Sequence, residues 1–140
     1  MTLKVELRAV AIGVGISISG SVVLTVFVIF WAGFLAAGGG RGGDEVYLWR
    51  MLFLAGLILD AVMGLIAGWA AGRAASRQRV LQGLAVGIVA TGLGLIMAGP
   101  VPLPWRLIFC FSLVSLTSPI FGAKLADWQR QRHALEQPVA

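Results

Sequence analysis

Charged residues are scarce in this chain, at 12% of the sequence, against about a quarter in an ordinary soluble domain. Cysteine and histidine occur once each. One cysteine excludes a disulfide framework within the chain, and the missing Cys/His cluster excludes a zinc site. The hydrophobic residues, 59% of the total, come in uninterrupted blocks without strand alternation. This pattern predicts lipid-embedded helices and argues against a membrane β-barrel.

Few side chains could carry chemistry. His133 lies beyond the last apolar block, so this chain alone cannot hold a bis-histidine haem in a membrane. A histidine-paired nucleophile and an aspartyl dyad are excluded as well. We therefore expect a non-enzymatic protein without cofactor or metal. Cys110, inside the last block, is expected to be an ordinary packing residue.

Four apolar blocks are long enough to span a hydrocarbon core as helices, which takes about 20 residues. The expected fold is all-α, a single membrane domain of four transmembrane helices in an antiparallel bundle. The first block is far longer than the apolar region of a signal peptide, so we interpret it as a retained anchor. The blocks run from about 9 to 37, 46 to 72, 80 to 99 and 105 to 126, and a cytoplasmic tail follows at 127–140.

The net charge of +5 is unevenly distributed along the chain. Eight of the eleven Lys and Arg residues precede the first block, lie between the second and third, or lie at the end of the fourth and beyond it. The positive-inside rule then places both termini and the middle connection in the cytoplasm. The basic residues indicate contact with anionic lipids of the bilayer and not with nucleic acid.

Small residues recur at every fourth position in three blocks. In lipid, helices associate through close packing and hydrogen bonds, and such rows let two backbones approach each other. We expect the first two helices, and the third with them, to pack on these rows. The rows are Ala9, Gly13, Ser17, Ser21 and Thr25 in the first block, Gly56, Asp60, Gly64, Gly68 and Gly72 in the second, and Gly83, Gly87 and Thr91 in the third.

A single carboxyl, that of Asp60, lies in the middle of the second block. It follows Trp49 by eleven residues, which places it about 16 Å below the boundary, near the midplane. A charged carboxylate there costs about 2.5–3.5 kcal/mol, and no basic residue lies at that depth, so we expect the neutral acid at pH 7. Its expected partners are the hydroxyls of Ser17, Ser21 and Thr91 and the carbonyl of Ser115, which Pro119 deprives of its amide donor.

Two functions account for this aspartate. In the leading hypothesis, neutral Asp60 is a hydrogen-bond clamp, within the chain or towards a partner. The protein then packs laterally with itself, or with other membrane subunits of a larger complex, as an accessory or scaffold subunit. In the alternative, Asp60 binds and releases a proton or cation in a small oligomeric transporter or channel. Transporters generally carry further polar anchors near the site, whereas here one acid is accompanied by hydroxyls.

The runs WRMLF at 49–53 and WRLIF at 105–109 open the second and fourth blocks in the same pattern. They indicate two duplicated helical hairpins related by a pseudo-twofold axis, although low-complexity apolar sequence also produces such matches by chance. Arg50 and Arg106 would be symmetry mates. They either bind lipid phosphates or an anionic solute at the outer mouth, or extend to the headgroups.

The stretch GLIAGWAAGRAASRQRVLQGLAVGI, residues 64–88, resembles an uncharacterised group of small four-helix bacterial membrane proteins. In that group a small-residue helix ends in an AGR-like motif, followed by a short basic loop and another glycine-rich helix. The resemblance covers about a fifth of the chain. It implies a bacterial inner-membrane protein and carries no activity.

Overall fold

The chain forms four α-helices in a computed structural model that describes residues 5–37, 45–98 and 104–136. No strand occurs in these ranges, so the expected all-α fold is confirmed. The side chains of Thr25 and Trp49, and residues 137–140 of the tail, lie outside the described part. The helices are α1 (Leu7–Ala37), α2 (Glu45–Ala74), α3 (Arg79–Ala98) and α4 (Trp105–Glu136).

Three segments of these helices are long and apolar enough to cross a membrane: Arg50–Ala74, Arg79–Ile96 and Trp105–His133. The apolar segment described in α1, Leu7–Val23, is shorter. These lengths and compositions are compatible with a membrane protein. The fourth span stays a prediction.

Small side chains form the interior of the bundle, and large ones cover its surface. The buried apolar residues in the described part are Val86 and six alanines. Large apolar side chains such as Ile96 and Phe121 are exposed. A soluble domain has the reverse arrangement. The helices therefore associate through close backbone approach, which is the mode expected in lipid.

The four helices are not arranged symmetrically. Helices α2 and α3 each contact all the others, whereas α1 and α4 do not touch in the described part. A twofold axis that relates the two hairpins exchanges α1 with α3 and α2 with α4. The contact between α2 and α3 would then require an equivalent contact between α4 and α1. The packing therefore lacks the predicted pseudo-twofold axis, and the duplication stays a prediction about the sequence.

The glycine row of α2 packs on α4 and not on α1. A Cβ built at Gly56 would lie 3.7 Å from the ring of Phe111, and one at Gly64 would overlap the hydroxyl of Ser118. Helix α1 instead places Gly13 against Ala67 of α2. The prediction that the row of α1 mates with this glycine row was therefore wrong. The reason is that α4 offers its own small surface: Ser118, Pro119, Gly122 and Ala123.

Pro119 is the point where three helices meet. It is buried, and α4 continues as a helix on both sides of it. A Cβ at Gly68 of α2 would overlap the carbonyl oxygen of Pro119, and one at Gly83 of α3 would lie 2.5 Å from the same oxygen. A Cβ at Gly87 would likewise lie 2.7 Å from the carbonyl oxygen of Leu116. The predicted glycines of α3 thus pack on α4, and only glycine permits these approaches.

Cys110 is exposed. It is therefore not the packing residue that was expected, because the next residue, Phe111, occupies the face of α4 that meets α2. Its ring contacts Phe53 edge to face, with the centroids 5.1 Å apart.

Candidate functional site

Asp60 is half-buried on the face of α2 that meets α4. One turn away on either side lie Gly56, beside Phe111, and Gly64, beside Ser118. The residues of α4 at the level of Asp60 therefore fall between Phe111 and Ser118, a segment that contains Ser115. The aspartate thus lies beside protein on one flank while part of its surface stays open.

Thr91 of α3 lies at the same level as Asp60. Gly68 and Gly83 both approach the carbonyl oxygen of Pro119, which aligns α2 with α3 at that point. Asp60 precedes Gly68 by eight residues, and Thr91 follows Gly83 by eight. Since successive helices run in opposite directions, both residues are displaced about 12 Å along the bundle towards the same end. The sequence prediction that they share a depth agrees with this alignment.

Two buried hydroxyls near this level have no hydrogen-bond partner in the described part of the chain: Thr91 Oγ1 and Ser118 Oγ. Ser118 is only 6% exposed. Other hydroxyls of the helices bond to their own backbone, as when Thr117 Oγ1 donates to the carbonyl of Leu113 at 2.8 Å. An unsatisfied buried hydroxyl is costly and calls for a partner such as water, an ion or another side chain.

The predicted clamp within the chain does not form among the described residues. No hydrogen bond joins Asp60 to Ser17, Ser21, Thr91 or Ser115 there. Ser17 is buried in α1, and its carbonyl accepts a bond from Ser21 Oγ at 2.9 Å. Because α1 does not contact α4, these serines lie away from the flank that Asp60 occupies.

Arg50 and Arg106 lie at the same end of the bundle, near the starts of α2 and α4, and both are exposed. The guanidinium carbon of Arg106 lies 5.6 Å from the centroid of the Trp105 ring. Contact with phosphates and simple extension to the headgroups both fit this placement.

At the opposite end, which we call the basic end (residues 5–9, 69–83 and 122–133), side chains tie the helices together. The carboxylate of Glu6 accepts bonds from the Ser76 hydroxyl at 2.7 Å and from the Ser76 and Arg77 amides at 3.1 and 3.2 Å. The bond from the Ser76 side chain, followed by those from the backbone, lowers the pKa of Glu6. In return, the buried side chain of Gln82 accepts a bond from the Glu6 amide at 3.1 Å. The start of α1 is thus bound to the α2–α3 connection.

Helix α4 is tied to the same connection. Arg79 donates to the carboxylate of Asp127 at 2.9 Å, and the indole N–H of Trp69 donates to Gln129 at 2.9 Å. These contacts were not predicted from the sequence. The available signal was charge: Glu6 and Asp127 are acids set among the basic residues that flank the spans.

Comparison of the chain with known protein families, curated proteins and solved structures finds no match. The resemblance of residues 64–88 to small bacterial membrane proteins therefore stays a prediction.

Proposed function

We propose that this protein is a four-span protein of the bacterial inner membrane that associates laterally with itself or with a larger membrane complex. Its termini and its α2–α3 connection face the cytoplasm. The exposed large apolar side chains and the small interior support the membrane placement. The basic residues at 73–79 and 124–132 support the orientation.

The observation that carries the proposed association is the half-exposed carboxyl of Asp60, which has no hydrogen-bond partner among the described residues. A polar group at the level of the hydrocarbon needs a donor or acceptor, and neither lipid tails nor the described side chains supply one. A partner helix seated beside α2 and α4 would supply it. Such interhelical bonds contribute about 0.6–2 kcal/mol in membranes.

The small-residue faces that were expected to meet a partner are occupied within the chain. Gly56, Gly64, Gly68, Gly83 and Gly87 all face α4. Open small positions remain on α1 and α3, where a Cβ at Gly15, Gly92 or Gly94 would meet no atom within 4 Å. We therefore propose that association uses the surface beside Asp60 together with such open positions.

The alternative, transport of a proton or monovalent cation, is favoured by the two unpartnered hydroxyls. Thr91 Oγ1 lies at the level of Asp60, and Ser118 Oγ lies beside Gly64, one turn away. Together with the carboxyl they form a set of oxygens that a hydrated cation or a water chain could use. The protein would then be a small oligomeric transporter in which Asp60 titrates.

Asp60→Asn separates the two functions because asparagine keeps the shape and hydrogen bonding of the acid but does not titrate. Assembly is measured by native mass spectrometry in mild detergent, and proton and cation flux in liposomes. Retained assembly with lost flux supports transport. Flux that persists in the variant, or is absent from both forms, supports the clamp.

Asp60→Leu tests the clamp directly. If Asp60 bonds to a partner, the leucine variant loses assembly by a factor of about 3–30, the equivalent of 0.6–2 kcal/mol. Thr117→Val is the matched control, since that hydroxyl bonds to its own helix. A wild-type chain that stays monomeric and alone under these conditions contradicts association.

A further inference from the structure

A cavity at the basic end has no carboxylate among the described side chains that line it. Its volume is about 290 Å³, at the lower limit for a small-ligand site. It lies between the end of α2, the start of α3 and the C-terminal part of α4. The lining residues are Arg73, Arg79, Ala126, Gln129, Arg130 and His133.

Three guanidinium groups therefore border one cavity. A neighbouring cavity of about 370 Å³ shares Arg79 and Arg130 but includes the carboxylate of Asp127. That carboxylate is already engaged, since one oxygen bonds Arg79 at 2.9 Å and the other accepts from Gln131 at 3.1 Å. The acid thus offsets Arg79 and leaves Arg73 and Arg130 without an anionic partner in the described part of the chain.

Arg79 supplies the second observation. Its side chain is 10% exposed, and its Nε–H is buried without an acceptor among the described residues. A buried donor on a charged group is expensive to leave unpaired. The Nε atom itself has almost no accessible surface, so an anion in the cavity meets the exposed side chains of Arg73 and Arg130. Planar guanidinium groups are suited to bind phosphate through paired bonds.

The aromatic surroundings place this cavity at a polar boundary. Arg73 lies over the ring of Trp69 at 4.9 Å. The indole N–H of Trp69 bonds the amide oxygen of Gln129, so the NH2 group of Gln129 stays available on the cavity wall. Tryptophan paired with arginine is typical of the headgroup level of a membrane protein.

We propose that this cavity binds a phosphate group, presented by the headgroup of an anionic lipid or by a soluble phosphate. Basic pockets between helices on the cytoplasmic side of a membrane are suited to such headgroups. Arg73 and Arg130 contact the phosphate oxygens, Arg79 adds positive charge to the wall, and Gln129 contributes a neutral donor. The site does not depend on Asp60 or on lateral association.

Native mass spectrometry of the full chain in neutral detergent tests this site. We expect the wild type to retain phosphatidylglycerol at concentrations where zwitterionic phosphatidylcholine dissociates. The double variant Arg73→Gln/Arg130→Gln weakens phosphatidylglycerol binding by about tenfold or more, because charge-assisted bonds are lost. Arg132→Gln is the matched control. It removes one positive charge, half of what the double variant removes, at the same end from an exposed residue that stacks on Trp128 and lines neither cavity.

A titration with inorganic phosphate distinguishes the two sources. Phosphate that displaces the lipid from the wild type, and fails to bind the double variant, assigns a soluble ligand to the same site. No displacement assigns the lipid headgroup. Equal lipid retention by wild type and double variant overturns the proposal, as does an equal loss in Arg132→Gln.

Folding of each variant is checked by its unfolding temperature in phosphatidylcholine alone. Should the double variant not fold, Arg130→Lys replaces it. This change keeps the charge but removes the forked donor set, so binding weakens while the fold is retained. Unchanged binding in that variant counts against the site.

Discussion

The two halves of the bundle satisfy their polar groups in different ways. At the basic end, Glu6, Arg79 and Trp69 each bond to a residue at least 48 positions away. In the other half, described hydroxyls such as those of Ser19 and Thr117 bond only to their own helix. The side chains of Asp60, Thr91 and Ser118 have no hydrogen-bond partner among the described residues. Side-chain bonds between helices thus fix the fold at the basic end, whereas the unsatisfied hydroxyls and the carboxyl proposed to meet a partner or cation lie in the other half.

The largest expected effect comes from adding a methyl group at Gly68, where α2 contacts Pro119 of α4 between the two halves. Gly68→Ala places a methyl group against the Pro119 carbonyl, and overpacking of this kind typically costs about 1–3 kcal/mol or more. The free energy of unfolding, measured by titration from mild detergent into SDS, should fall accordingly. Gly15→Ala, at an open helical position, is the control and should be neutral or slightly stabilising. Similar values for the two variants would contradict the close approach.

The next largest effect is expected from the ion pair between Arg79 and Asp127 at the basic end. A double-mutant cycle with Arg79→Met and Asp127→Asn should give a coupling of about 1–2 kcal/mol. Asp127 is 43% exposed, so screening keeps this value below that of a fully buried pair. Coupling below about 0.3 kcal/mol, the usual limit of additivity, would show that the pair does not tie α4 to the connection.

A smaller, pH-dependent effect is expected at Glu6. Its pKa is lowered from 4.5, so the carboxylate stabilises the fold above that pH and the contribution is lost as the pH falls through the lowered pKa. The unfolding temperature of the wild type should exceed that of Glu6→Gln at pH 7, and the two should converge below pH 4.5. Between pH 7 and 8 the difference should be constant. A difference that persists unchanged in acid would show that the hydrogen bonds to Ser76 and Arg77 do not act through the charge.

The smallest effect concerns the α2–α3 connection itself. Gln78 has a φ of 49°, a left-handed conformation that costs a non-glycine residue about 1–2 kcal/mol. Gln78→Gly should raise the free energy of unfolding by about 0.5–1 kcal/mol after the greater freedom of glycine in the unfolded chain is counted. Gln78→Val should lower it. A loss of stability in the glycine variant would mean that the Gln78 side chain contributes more than its backbone costs.

Much of the fold followed from local sequence. Long apolar blocks predict helices, and glycines at every fourth position predict close packing, as at Gly64 and Gly68. The helix that packs on the glycine row of α2 could not be predicted from the sequence. Both α1 and α4 offer small residues, and only the three-dimensional arrangement selects between them. For the same reason the sequence placed Ser17 and Ser21 near Asp60, although they lie on a helix that does not touch α4.

The candidate site was predicted in part. The shared level of Asp60 and Thr91 follows from counting residues along antiparallel helices, which needs only the spans. The missing hydrogen bonds of Thr91 and Ser118 could not be predicted, because they depend on side-chain rotamers and on distances of a few tenths of an ångström. The contacts of Glu6 were not predicted either, because an acid just before a span is usually interpreted as an ordinary flanking charge.

The separation along the chain between Glu6 and Gln82, 76 residues, has a consequence for biosynthesis. At about 5–20 residues per second, ribosomes need roughly 4–15 s to reach Gln82 after Glu6 has been made. During that interval the bond to Gln82 is missing, although partners such as Ala67 and Ser76 have already been made. The bond between the Glu6 amide and Gln82 is therefore formed late, once the third helix has begun.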